Sequence, residues 1–238
     1  MNKLFRSPAV DWPFEFAQKL ERARDERLKQ FYSQPLPAPD TPLSEVTFLA
    51  VDFETTGLNP NKDGIITIGL VPFTLNRIYL RQAKHWTLRP KQKLEEDSVV
   101  IHGITHNDII DAPDLNEVLD EILESLAGHI PVVHYRRIER DFLDNALKVR
   151  LGEGIEFPVL DTLEIESQIQ NKLAGGLWNK LKGKKPESVR LGQSRRRYHL
   201  PDYTPHHALT DAIATAELLQ AQIAHHFSPN IPVKDFWL

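Results

Sequence analysis

The chain reads as an α/β protein with a mixed sheet, an antiparallel meander followed by parallel strands, flanked by helices. Three observations predict this. Apolar runs at 46–53, 64–73 and 77–88 lie one after another with short connections, as antiparallel neighbours require. Beyond residue 110 the pattern changes to helix–strand alternation, the signature of parallel crossovers. A long apolar-periodic segment, about His207 to His226, closes the chain as a helix.

Taken in order, residues 11–32 carry Phe14, Ala17, Leu20, Phe31 and Tyr32 among charged residues, which predicts one amphipathic helix. Pro35, Pro37, Pro39 and Pro42 make 33–43 an extended linker. The division expected is therefore a helical extension with its linker at 1–43, a catalytic domain at 44–228 and a short tail at 229–238. Val46 to Phe53 is apolar on both faces, so it belongs in the middle of its sheet. Gly64–Phe73 and Arg77–Leu88 follow as strands. A helix at Asp114–Ala127 leads to the strand Ile130–His134, and a helix at Ile138–Arg150 leads to Val159–Asp161.

With 41% hydrophobic and 26% charged residues the composition is that of an ordinary globular protein. The absence of cysteine excludes disulfides, thiolate metal sites and cysteine nucleophiles, and leaves Asp, Glu and His as metal ligands. Such oxygen-rich donors favour hard cations such as Mg²⁺ or Mn²⁺. No apolar run approaches the roughly 18 residues that span a bilayer, and no signal or transit pattern opens the chain. A cytoplasmic protein with no membrane partner is expected. The net charge of −4 hides an uneven distribution. Nine lysines and arginines, Lys172 to Arg197, stand against Glu187 alone between Asn171 and Tyr198, a stretch of +8 that leaves the rest at −12. That strip is read either as a solvated loop or as a track for a phosphate backbone, with Trp178 and Tyr198 available for stacking.

Three acidic segments carry the chemistry. Asp52 and Glu54 are two apart at the end of the first strand, so both point to one face. Two carboxylates there repel and lose solvation unless cations or protons compensate. In the second segment, Ile138, Phe142, Leu143, Ala146, Leu147 and Val149 define the buried stripe of a helix. Glu139 falls about 35° from its centre, whereas Asp141 lies about 125° away and Asp144 nearly opposite, facing water. An inward carboxylate in a first helical turn requires a compensating charge or dipole, which selects Glu139. In the third segment Thr204-Pro205 is expected to start the last helix, as N-cap and first residue. His206 then sits at or before the first turn, either swung over a site that Asp211 approaches from within or a plain terminal residue, and adjacent His207 leaves the choice between the two histidines open on chemistry alone. His225 and His226 read as a solvated pair.

Asp52-Phe53-Glu54-Thr55-Thr56-Gly57, Ile101-His102-Gly103-Ile104-Thr105, Asp161-Thr162 and His206 to Ala212 together resemble the DEDD superfamily of 3′→5′ exonucleases, whose fold is ribonuclease H-like. The branch is the one whose third motif is H-x-A-x-x-D, and the set is similar to the proofreading epsilon-subunit family of bacterial DNA polymerase III. The departure is in the second motif, where H-N-x-x-F-D is usual and this chain has His134-Tyr135-Arg136-Arg137-Ile138-Glu139. The resemblance implies that Asp52, Glu54, Glu139 and Asp211 hold two divalent cations, Mg²⁺ or Mn²⁺, with His206 as general base. It implies substrate contacts from Thr55, Thr56, Gly57 and His102, with Asp97 a weaker match. It implies hydrolysis of single-stranded nucleic acid from the 3′ end to 5′-mononucleotides, DNA being favoured over RNA. An RNA-trimming exoribonuclease and a non-catalytic binding module are the rival readings. The N-terminal extension is read as a dock for a protein partner or as cover for the domain's own apolar surface, the second being preferred.

Overall fold

The computed structural model describes residues 10–91, 104–174 and 187–238. One sheet organises them. Its strands are β1 (Phe48–Thr55), β2 (Ile65–Thr74), β3 (Arg77–Ile78), β4 (Lys84–Thr87), β5 (Ile130–Val133) and β6 (Leu160–Asp161). The order is β3-β2-β1-β5-β6, with β4 also pairing with β2. β1 is antiparallel to β2, while β5 runs parallel to β1 and β6 parallel to β5. β1 is thus central, and Phe48, Leu49, Ala50 and Val51 are all buried, as a strand covered on both faces requires.

The third strand departs from expectation. A 3₁₀ turn at Leu80–Gln82 splits it into β3 and β4. Pro72 explains the break: its carbonyl accepts from the Tyr79 N–H at 2.9 Å, but proline has no N–H to return, so the ladder stops.

Eight helices are described: α1 (Trp12–Arg22), α2 (Glu26–Ser33), α3 (His106–Ile109), α4 (Leu115–Leu126), α5 (Arg137–Leu151), α6 (Thr162–Ala174), α7 (Leu191–Arg197) and α8 (Ala208–His226). The single helix expected over 11–32 is two. Asp25 takes an extended conformation and its carboxylate accepts from the Arg27 N–H at 2.9 Å, capping a second start. Trp12, Phe16, Leu28, Phe31 and Tyr32 are buried in the same core as the sheet. Phe31 meets Phe157 edge-on at 6.5 Å between ring centroids, and the Tyr32 hydroxyl accepts from the Glu156 N–H at 3.0 Å. The proline-rich segment is also held in place. Leu43 N–H donates to Ile231 and Val233 N–H donates to Thr41, both carbonyls, at 3.0 and 2.9 Å. Residues on both sides of Ser44, and those after 228, therefore pack in one core.

On α5, Phe142, Leu143 and Leu147 are buried as the periodicity predicts, but Val149 is 59% exposed. Nor does Asp144 simply face water: it accepts from the Ile155 N–H at 3.1 Å and from Lys148 at 2.6 Å, which pins the chain after the helix.

α8 lies against β1 and β2, and one glycine sets how close. A Cβ at Gly69 would sit 2.4 Å from the Ala208 carbonyl carbon and the Leu209 nitrogen. The first turn of α8 therefore rests on the β2 backbone at the very residue that pairs with Asp52. A glycine inside a strand marks such a close backbone approach.

Candidate active site

That approach brings the third acidic segment over the first. Asp52 and Glu54, alternate residues of β1, each offer a carboxylate oxygen to a cluster completed by Asp211 from the first turn of α8. The three oxygens lie within 4.8 Å of one another. Asp52 pairs with Gly69 and Glu54 with Thr67, and the β1–β2 register shifts between Glu54 and Thr55. The strand irregularity falls where the chain turns away after the second acid.

Glu139 joins from α5. It is 2% exposed, in the first turn of the helix as its periodicity predicts, and its Oε2 has no hydrogen-bond partner. Burial drives its pKa well up, reinforced by the charges of Asp161 and Glu54; the backbone amides of Glu139 and Phe53 oppose the rise. Burial likewise raises Asp52, with added repulsion from Glu139, Asp211 and Glu54. Asp211 is raised by burial and by Glu54, against hydrogen bonds from the His206 and His207 backbone. Clustered acids of this kind are stable only with protons or cations among them. The donors fit hard divalent cations: all oxygen, closely spaced, with one buried oxygen otherwise unpartnered.

The start of α8 differs from the sequence expectation. The N-cap is His207, whose Nδ1 accepts from the Thr210 N–H at 3.4 Å, and the helix begins at Ala208. Thr204 and Pro205 precede it as loop. His206 takes φ +68° and its N–H donates to Asp211 Oδ2 at 2.8 Å. The aspartate thus acts as cap for a tight turn, and that turn holds exposed His206 beside the acids. His85 on β4 stacks on His207, ring centroids 5.1 Å apart and planes 16° from parallel. Sequence reading gave no role to His85, because only the fold brings β4 to this turn.

The Thr55–Gly57 turn is closed by its own side chains. Thr55 Oγ1 donates to the Gly57 carbonyl at 2.6 Å, and Thr56 Oγ1 accepts from the Gly64 N–H at 3.0 Å. Next to it Leu58 stands 85% exposed, an apolar side chain that composition alone could not single out. Asp97 and His102 lie outside the described residues, as do Trp178 and Lys180 to Lys185 of the basic strip.

A second buried acid was read only as part of a motif. Asp161, at the end of β6, accepts from the backbone N–H groups of Tyr135 and Arg136, both at 3.0 Å, and from Leu163 at 3.1 Å. It fixes the corner from which α5 departs, where Tyr135 has φ +87°. Beside it His134 Nδ1 meets Thr162 Oγ1 at 2.8 Å, and burial pushes the imidazole down to about 4, so it is neutral.

Of the described part of the basic strip, Arg195 and Arg197 are turned inward, while Lys172, Arg190 and Arg196 are exposed. Arg195 is 3% exposed and donates to the Ala214 and Pro201 carbonyls and to Glu217. Arg197 pairs with fully buried Glu166 at 3.0 Å, and the Tyr198 hydroxyl donates to the same carboxylate at 2.9 Å. Tyr198 is therefore closed to base stacking. These groups anchor α7 to α6 and α8 ahead of the His206 turn.

The RNase T exonuclease family matches residues 49–219, most of the chain and the span that holds Asp52, Glu54, Glu139 and Asp211, so the protein belongs to this exonuclease family. It is 32% identical over 179 residues to the PolC-type DNA polymerase III of Thermotoga maritima, covering 75% of this chain and 12% of that protein. It is 26% identical over 185 residues to the DNA polymerase III epsilon subunit of Treponema pallidum, covering 78% of this chain and 80% of the other. The chain thus spans only about an eighth of the PolC-type relative. Among solved structures, cell-death related nuclease 4 superposes with a TM-score of 0.63 at 19% identity, over 78% of this chain and 65% of its own. The sheet is the ribonuclease H-like one expected.

Proposed function

We propose that the protein is a metal-dependent 3′→5′ exonuclease that hydrolyses single-stranded DNA to 5′-mononucleotides. The observation that carries this reading is the convergence of Asp52, Glu54 and Asp211 within 4.8 Å, with buried Glu139 near enough for its charge to act on Asp52 and Glu54. Those four carboxylates would hold two divalent cations, Mg²⁺ or Mn²⁺. Bound there, such ions lower the pKa of an attacking water and neutralise charge on the phosphoryl and leaving oxygens.

The chain's own residues supply the rest. The His206 imidazole, carried on the turn tied to Asp211, would take the proton from the attacking water at a ring nitrogen. Its placement next to a metal-binding carboxylate suits a base that must sit beside the nucleophile. Asp161 holds the corner before α5, so Glu139 enters the cluster on a fixed backbone. The Thr55–Gly57 turn, with exposed Leu58 next to it, would receive the terminal nucleotide, and His102 and Asp97 are proposed as further contacts. DNA is favoured over RNA because the matched relatives are DNA polymerase III proteins. Repair, nucleic-acid turnover and polymerase-associated proofreading are the roles such an activity would serve.

The test is Mg²⁺- and Mn²⁺-dependent digestion of a 3′-labelled single strand, with Glu139→Ala and His206→Ala alongside. Release of 5′-mononucleotides, lost in both variants, is the expected result. No release from DNA or from a matched RNA would overturn the reading and leave a binding module.

A further inference from the structure

The corner between β5 and α5 carries three residues that the site described above does not use. Tyr135 adopts φ +87°, a left-handed conformation that is unfavourable for an L-residue with a bulky side chain. Glycine or asparagine meets such a φ more cheaply. The strain is enforced, since Asp161 accepts the N–H groups of both Tyr135 and Arg136. What it achieves is to leave the tyrosine ring at the surface, 42% exposed. Among the described residues no aromatic ring packs on it. Strain kept where surrounding bonds over-determine it is found at ligand clamps.

The two arginines that follow are not equivalent. Arg136 is tied to Asp161 at 3.3 Å. Arg137 has a 71% exposed side chain and, among the described residues, a single long ion pair, 3.8 Å to Asp141, so its guanidinium is open to an anion. A groove of about 320 Å³ opens alongside, in whose wall Arg136, Arg137 and Arg140 are balanced by Asp141, Asp144 and Glu156, so the exposed guanidinium of Arg137 rather than the groove as a whole offers an anion its charge. Tyr135 stands just past the C-terminal end of β5, which runs parallel to β1 and so ends on the same edge of the sheet as Asp52 and Glu54.

Resting on the exonuclease reading, we infer that this corner grips the single strand upstream of its 3′ end, Tyr135 stacking on a base and Arg137 pairing with a backbone phosphate. An exposed aromatic ring beside an exposed guanidinium is the combination that binds single strands without regard to sequence. Tyr135 and Arg137 are positioning residues: they hold the strand and leave the bond-breaking to the acids.

The test measures binding of a short 5′-fluorescein-labelled oligothymidylate by anisotropy in Ca²⁺, for wild type, Tyr135→Gly, Tyr135→Phe and Arg137→Gln. Stacking on one ring corresponds to about 5- to 150-fold in affinity, so Tyr135→Gly should weaken binding by that factor while Tyr135→Phe retains it. Glycine accepts φ +87°, so the melting temperature of Tyr135→Gly should hold and exclude misfolding as the cause. Arg137→Gln should flatten the slope of log K against log salt by about 0.7. In Mg²⁺, KM should rise in both variants with kcat kept. Wild-type binding that Tyr135→Gly leaves unchanged, or an unchanged salt slope in Arg137→Gln, overturns the inference, as does absence of binding by the wild type. Failure of the wild type to release nucleotides while the binding differences persist overturns only the exonuclease reading.

Discussion

Replacing Gly69 by alanine should damage the site without touching a functional group. The added Cβ would lie 2.4 Å from the Ala208 carbonyl carbon and the Leu209 nitrogen, where ordinary contact begins at 3.4 Å. Both neighbours are backbone, so no side chain can swing away and α8 must retreat by about 1 Å. Overpacking of this kind costs about 1–3 kcal/mol, offset by about 0.4–1 kcal/mol from the stiffer unfolded chain. A net loss of about 1–2 kcal/mol lowers the melting temperature by roughly 2–8 °C in a chain of this size. Activity should suffer more. Asp211 rides on the displaced turn and leaves the 4.8 Å cluster by a similar distance. A misplacement of about 1 Å can cost on the order of 100-fold in rate. The assay is kcat on a 3′-labelled oligonucleotide at saturating Mg²⁺, with thermal melting in parallel. Gly192→Ala is the control, since a Cβ there meets nothing within 4 Å. An unchanged melting temperature with activity within threefold of wild type would refute the claim that Gly69 sets the height of α8.

Glu139→Gln should abolish nucleotide release yet raise the melting temperature in EDTA, because it removes a buried charge from a crowd of acids. Folded-state pKa values of Glu139, Asp52 and Asp211 lie above their unfolded values, so the folded protein binds more protons. Their contribution is therefore fully favourable below about pH 4 and is lost as pH rises through the folded pKa. The advantage of Glu139→Gln should grow from pH 5 to pH 8 and shrink when Mg²⁺ is added; a constant difference would show that the acids do not repel. Arg195→Ala should cost about 3–5 kcal/mol by stranding half-buried Glu217, whereas Arg196→Ala, from an exposed pair with Asp202, should stay within about 0.5 kcal/mol in urea titrations. Phe31→Ala should cost about 3–5 kcal/mol and keep a single unfolding transition, since Phe31 packs on Phe16, Tyr32 and Phe157. A separate early transition would mean that α1 and α2 form their own unit.

Local chemistry made much of this legible in the residues themselves. The apolar run at 46–53 could only be a central strand, and alternation put Asp52 and Glu54 on one face. The stripe of Phe142, Leu143 and Leu147 chose Glu139 over Asp141, and the structure buries the first and exposes the second. These readings succeed because strand and helix periods are fixed by backbone geometry, which any window of sequence carries. Where they slipped, the competing signal was also local but weaker. Asp25 restarts a helix that amphipathicity had joined, and His207 takes the cap that Thr204-Pro205 offered.

What the sequence alone determined, then, is which residues are acids on buried faces and in what order the elements come. How the acids meet was decided by tertiary structure. Gly69 lets α8 touch β2, and without that contact Asp211 is one aspartate among many. The charge count of 171–198 suggested a phosphate track, but packing turned Arg195 and Arg197 inward to Glu217 and Glu166. Charge is a property of a residue, whereas its partner is a property of the fold, because pairing depends on separations in space that span dozens of positions along the chain.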